Sequence, residues 1–126
     1  MIRVATALAF AALASAGCGG AALLTAGDVS TCLADRDVKT APRGDTDSTT
    51  DVLTFEVPGS PPARGFLIFV GGAEAAQALE QDIRQSARDA GSVAHTLRER
   101  NMIVHFFTVG APTQREQQPI RACLEE

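Results

Sequence analysis

The chain contains no tryptophan and no tyrosine among its 126 residues. That removes the usual aromatic platforms on which sugars, single-stranded bases and quaternary ammonium groups stack. Positive charge is also scarce, with 11 basic residues against 15 acidic ones and a formal net charge of -4. A nucleic-acid binder needs clustered positive charge, so the balance argues against that class. Lys39 is the only lysine and arginine supplies the other basic residues, which together with abundant alanine fits a GC-rich bacterial genome. No Cys-x-x-Cys pair is present, which argues against thiol–disulfide exchange chemistry. The Gly-x-Gly-x-x-Gly fingerprint and the Gly-Lys-Ser/Thr phosphate loop are both missing. No serine sits in Gly-x-Ser-x-Gly, and Gly59-Ser60-Pro61 is turn chemistry. Acyl transfer needs a nucleophile, a base and oxyanion donors together, and the sequence does not supply that set.

What is present is a chain sized for one small domain, 45% hydrophobic and 21% charged, an ordinary globular balance. It opens with Met1-Ile2-Arg3 and an uncharged run from Val4 to Ala16. One positive residue followed by a stretch of apolar and small residues matches a secretory signal peptide, and Ala14-Ser15-Ala16 supplies a small-x-small cleavage site. The competing reading is an alanine-rich helix of the domain. Against it, Gly17, Gly19 and Gly20 interrupt the helical run, and no charge appears again until Asp28. The layout expected is a signal segment over 1–17, a short linker over 18–27 and a single domain over 28–126. Ser15-Ala16-Gly17-Cys18 resembles the bacterial lipobox, with Ser15 in the place usually held by an aliphatic residue. That resemblance implies that Cys18 carries the lipid. Simple secretion is the next reading, and a retained membrane helix over Ile2 to Leu24 the third, long enough to span but weakened by its glycines and alanines.

The cysteines are Cys18, Cys32 and Cys123, and an odd number in an exported protein leaves one over. If Cys18 carries lipid, Cys32 and Cys123 remain as a pair that joins the start of the mature domain to its last helix. Closing so long a loop contributes about 4–5 kcal/mol by constraining the unfolded chain. The alternative is two buried free thiols.

Asp28 suits a helix N-cap before Val29 to Ala34, with Val29, Cys32 and Leu33 on one face. Residues 40–51 are polar, carry Pro42 and Gly44, and read as a surface loop. Asp51 to Val57 alternates, with Leu53, Phe55 and Val57 on one side, the pattern of a half-buried strand. Phe66 to Val70 is apolar throughout, the pattern of a strand buried on both faces. Ala76, Leu79, Ile83, Ala87 and Ala90 recur at helical spacing, and Gly91 interrupts them. From Val93 to Leu97 the sequence reads as a strand leading through a turn at Arg98 to Asn101, with a resumed helix as the competing reading. Met102 to Val109 is the clearest strand. Thr113 and Glu116 form a capping-box pair before a final helix whose inward face is Ile120, Cys123 and Leu124. The order predicts an α+β fold: a small antiparallel or mixed sheet packed against helices on one face, the first and last helices joined by a disulfide.

Three patterns bear on ligands. Asp45, Asp47, Thr49, Asp51 and Glu56 occupy positions 1, 3, 5, 7 and 12 of a calcium-loop register, although Thr50 stands where the sharp turn needs glycine. Asp45, Asp47, Asp51 and Glu56 are therefore the candidate metal ligands, weighed against a plain solvated acidic loop. His95 and His105 would lie on neighbouring strands and, with a carboxylate such as Glu99, could form a two-histidine metal site; the competing reading packs His105 within the sheet. Gly71-Gly72 lies between a strand and a helix start, where a phosphate can be cradled, but Glu74 in the first turn repels an anion.

Ala16-Gly17-Cys18, Thr31-Cys32-Leu33 and Arg121-Ala122-Cys123-Leu124 together resemble the layout of the small uncharacterised exported or lipid-anchored proteins common in GC-rich bacteria. The resemblance implies an extracytoplasmic location, a membrane tie through the N-terminal lipid, and a disulfide-stapled domain, and it carries over no catalytic residue. The function expected is a non-enzymatic interaction domain of the cell envelope. It would need no cofactor and would bind an envelope protein or an unknown ligand, not nucleic acid. The alternative is a small-ligand or metal-ion (Ca or Zn) binding module using the acidic loop or the histidines. Losing Arg3 with the signal leaves ten basic residues against fifteen acidic ones.

Overall fold

A computed structural model describes residues 22–43, 51–108 and 110–125. Helix α1 spans Ala26–Ala34, β1 Lys39–Pro42, β2 Asp51–Val57 and β3 Ala63–Phe69. Helix α2 spans Ala73–Asp89, β4 His95–Glu99, β5 Met102–Phe106 and α3 Gln114–Leu124. The five strands form one antiparallel sheet in the order β1-β2-β3-β5-β4. The class is α+β, and the Cys32–Cys123 disulfide joins α1 to α3 across 91 positions of sequence, with Cα atoms 5.8 Å apart.

The register assigns every strand residue to one of two faces. On the first face stand Leu53, Phe55, Val57, Leu67, Phe69, Met102, Val104 and Phe106, all buried. They form one core cluster with Val29 and Leu33 of α1 and Ile120, Cys123 and Leu124 of α3. Phe55 meets Phe106 edge-on with centroids 5.4 Å apart. Burying side chains of this size contributes about 1.5–3 kcal/mol each before the entropy of ordering the chain is counted. Gly65 is needed here, because a Cβ at its position would lie 2.0 Å from the His105 carbonyl oxygen and 2.9 Å from the Phe55 ring.

The second face carries the alternate residues, including Thr54, Phe66, Ile68, Ile103, His105, Thr96 and Arg98. Helix α2 packs against β4 and β5 on this side, so the sheet has helices on both faces, and not on one as the order of elements suggested. The coverage is partial. Ile103 and Ala76 are fully buried, but Leu79, Ile83 and Ala87 are only half-buried and Ala90 is exposed. Phe66 and Ile68 are half-buried too, so β3 is not the doubly covered strand its apolar run predicted.

Other boundaries moved for local reasons. The Thr25 hydroxyl, not Asp28, caps α1, accepting from the Asp28 N–H at 3.2 Å, so the helix begins at Ala26. Residues 40–42, expected within the loop, instead continue from Lys39 as an edge strand that pairs with β2. Pro42 is tolerated there because an edge strand does not need every N–H. The hairpin forms as predicted, but its turn is Arg100-Asn101 and β4 runs on to Glu99. Arg100 takes a φ of 52°, and Asn101 uses its side chain elsewhere, accepting from Leu24 N–H at 2.7 Å and donating to the Leu24 and Val70 carbonyls. At the start of α3 the capping box of Thr113 and Glu116 is present in both directions.

Candidate functional site

The sequence candidates that fall among the described residues do not converge. Cys18, Asp45 and Asp47 lie outside the described residues. Asp51 and Glu56 begin and nearly end the single extended strand β2, five positions apart and so on opposite faces. That separation is about 16 Å at the rise of a strand. The Glu56 carboxylate is also engaged by Arg64, with the guanidinium Nε donating at 3.0 Å. His95 pairs in register with Phe106, and His105 with Thr96, so the two imidazoles leave the sheet on opposite faces. Among the described residues no group of three or more His, Cys, Asp or Glu is placed to hold a metal ion. Gly72 stands at the N-cap of α2 without a side-chain cap bond, followed by Glu74 in the first turn.

The structure instead brings together residues that the sequence kept far apart. Across the second face, one row of the sheet runs Ala41, Thr54, Phe66, His105, Thr96 from β1 to β4. Phe107, just past β5, folds onto this row, its ring 4.7 Å from Phe66 and 5.1 Å from His105, edge-on to both. Its N–H donates to the Arg64 carbonyl at 2.8 Å, which extends the β3–β5 pairing by one residue and fixes where the ring stands. Arg43 reaches back over the same row, its guanidinium carbon 4.6 Å from the Phe66 centroid. This contact is worth about 0.5–1 kcal/mol at an exposed site. Beside Phe66 and Phe107 lies an open groove of about 510 Å³, whose rim carries Lys39, Glu56 and Arg64. A second groove of about 530 Å³ runs between the C-terminal half of α2 and the sheet, with Leu79, Ile83, Val93 and His105 on its walls. Phe107 is 51% exposed and Val93, on the wall of the second groove, 74% exposed; the other large apolar side chain left in solvent among the described residues is Leu23.

Electrostatics divide the same face. Over β4, the Glu80 carboxylate accepts from the Arg98 Nε at 2.9 Å, from the Thr96 hydroxyl at 2.8 Å and from Arg84 at 3.3 Å. Thr96 in turn accepts from Arg84 at 3.0 Å, so the network closes on itself. Burial pushes the Glu80 pKa up, but the bonds from Thr96, Arg98 and Arg84, with the charge of Arg84, outweigh it and hold the carboxyl below its ordinary value. Burial also pushes the His105 pKa down, and the nearby charge of His95 adds to the effect, so the imidazole between the two grooves favours its neutral form. Arg43, Arg64 and Lys39 stand on the other half, where among the described residues the Glu56 carboxylate faces them.

An aliphatic and aromatic floor with a cationic rim can hold an apolar body that carries negative charge. Sequence reasoning missed it because Arg43, Phe66 and Phe107 meet only through the register of four strands. The one signal in the sequence was the unbroken apolar run from Phe66 to Val70, too rich for a strand with one wet face. Comparison with known protein families, with curated proteins and with solved structures finds no match for the chain.

Proposed function

We propose that the protein is a non-enzymatic interaction domain of the bacterial cell envelope, held outside the cytoplasm and tied to the membrane through a lipid on Cys18. The observation that carries the interaction reading is the half-covered second face, with Phe66 and Phe107 beside a rim of Lys39, Arg43 and Arg64. A small domain that leaves apolar side chains in solvent next to a charged rim has the anatomy of a protein-binding surface. The Cys32–Cys123 disulfide is compatible with an oxidising, extracytoplasmic compartment. No helix among the described residues is long and apolar enough to cross a membrane, so the lipid supplies the membrane tie in this reading.

The test is to extract the envelope of the native host in mild detergent and size the protein before and after dissociation. The expected result is a complex that separates into this chain and a different one. Elution as a lone chain at every detergent level contradicts the reading. Thermal melts with Ca²⁺, Zn²⁺ or chelator separate it from the metal-binding alternative, because an ion that binds the native state must raise the melting temperature. The interaction reading expects no shift.

A further inference from the structure

We propose that the uncovered half of the second face, centred on Phe66 and Phe107, is the docking site for an acidic amphipathic helix of another protein, laid beside α2. This deepens the interaction reading and rests on it, naming the surface and the chemistry of the partner.

Three observations lead there. The first is the mismatch in β3, whose sequence is that of a strand covered on both sides although Phe66 and Ile68 stay half-buried while α2 packs mainly on β4 and β5. The second is width. Strands lie about 4.8 Å apart, so five span about 19 Å, and a helix with its side chains is about 10 Å across. Helix α2 occupies the β4–β5 side, which leaves room for one more helix over β1 to β3. The third is charge. Among the described residues the free half presents Lys39, Arg43 and Arg64 against Glu56, which pairs with Arg64, in a protein of net charge -4.

Helix α2 shows what such a surface accepts. It lays Ala76, Leu79, Ile83 and Ala87 toward the sheet and sends Glu80 to Thr96 and Arg98. A partner helix with a small, aliphatic stripe flanked by Asp or Glu meets the same needs over Phe66 and Ile68, its carboxylates reaching Arg43 and Arg64. An added strand does not suit the site, because the neighbouring edge strand β1 has four residues and ends at Pro42, which has no N–H to give. Nor do the described helices of a second copy. Those of α1 and α3 bury their apolar faces in the core, and α2 lays its own on β4 and β5.

The test places a benzophenone photocrosslinking residue at Phe107 of the full chain in its native host, with Gln81 on the outer side of α2 as the comparison position. After irradiation of intact cells the crosslinked peptide is identified by mass spectrometry. The expected result is an adduct from position 107, and none from 81, mapping to an acidic amphipathic helix of a second protein. The charge reversals Arg43→Glu and Arg64→Glu together are expected to abolish most of that adduct while the protein still folds, its melting temperature lower by several degrees because the Phe66 and Glu56 contacts are lost. An adduct that maps to lipid, to another copy of this chain or to its own residues 44–50 overturns the proposal. An adduct from 81 alone, or none from 107 while a two-protein complex still isolates, overturns the site but leaves the interaction reading standing. Absence of any complex sinks both.

Discussion

Asn101 and Gly65 show how single positions hold this fold. Asn101 is 3% exposed, the one buried polar residue among those described, and all its bonds reach across the chain to Leu24 and Val70. Replacing it leaves a buried N–H and two carbonyls without partners, each costing about 1–3 kcal/mol if water cannot reach them. Asn101→Ala is therefore expected to lose about 2–3 kcal/mol in urea titration; a loss below the scatter of a surface substitution would contradict the role assigned to it. At Gly65 the limit is steric. The His105 carbonyl and the Phe55 ring occupy the space a methyl group would need, and a backbone atom in a central sheet pair cannot step aside cheaply. Gly65→Ala is expected to cost about 3 kcal/mol or more. A variant that melts like the parent would show that the β3–β5 approach is looser than described. Neither role was legible in the sequence. Asn101 reads as a turn residue because its side-chain partners lie 31 and 77 positions away, and the carbonyl that crowds Gly65 belongs to His105, on a strand that only the folded sheet sets beside it.

Between elements, the attachment of α2 to β4 rests on Glu80, whose side chain is 13% exposed against 49% for Arg84 and 37% for Arg98. The exposed arginines are screened by solvent, so the clamp is worth about 1 kcal/mol, below what buried charged bonds give. Its sign with pH follows from the lowered pKa of Glu80. The unfolded carboxyl binds a proton more readily than the folded one, so the contribution is present above about pH 4.5 and is lost as pH falls through the folded value. Glu80→Gln is expected to be about 1 kcal/mol less stable at pH 7, with the gap narrowing progressively as pH falls below about 4.5. A gap that persists unchanged in acid would assign the loss to something other than charge. The elements themselves were largely legible. Alternation located β2, the capping box located α3 and Gly91 located the end of α2, because each signal is local. The side on which α2 packs was not, since Ala76, Leu79, Ile83 and Ala87 fit either face of a sheet equally well. The hairpin was legible in kind but displaced, because Arg100, and not a glycine or asparagine, takes the positive φ.

For the molecule as a whole, the disulfide ties the first and last helices, and the hairpin tip ties the entry of the chain to its end. Arg100 donates to the Ala22 carbonyl at 3.0 Å and to the Leu124 carbonyl at 2.7 Å. A lipid on Cys18 would therefore stand four residues from a fixed point of the body, a reach of about 14 Å. In the proposed anchored form the hairpin tip and the end of α3 lie close to the membrane, with β1 and the open groove extending from that pole. Removing the disulfide by Cys32→Ala and Cys123→Ala together is expected to lower stability by about 4–5 kcal/mol, since the loop it closes spans most of the domain. Equal stability of the double variant and the parent would mean that the core alone holds the two helices. The pairing was legible by cysteine arithmetic; the interaction surface was not, because it is assembled from residues 43, 66 and 107, which only the sheet brings together.

The most direct test of an extracytoplasmic, disulfide-stapled and lipid-tethered domain is the intact mass of the protein taken from its host, with and without reduction and alkylation. The account predicts residues 18–126 plus the lipid, with two thiols appearing only after reduction. A chain retaining residues 1–17, with Cys32 and Cys123 alkylated without reduction, would contradict it.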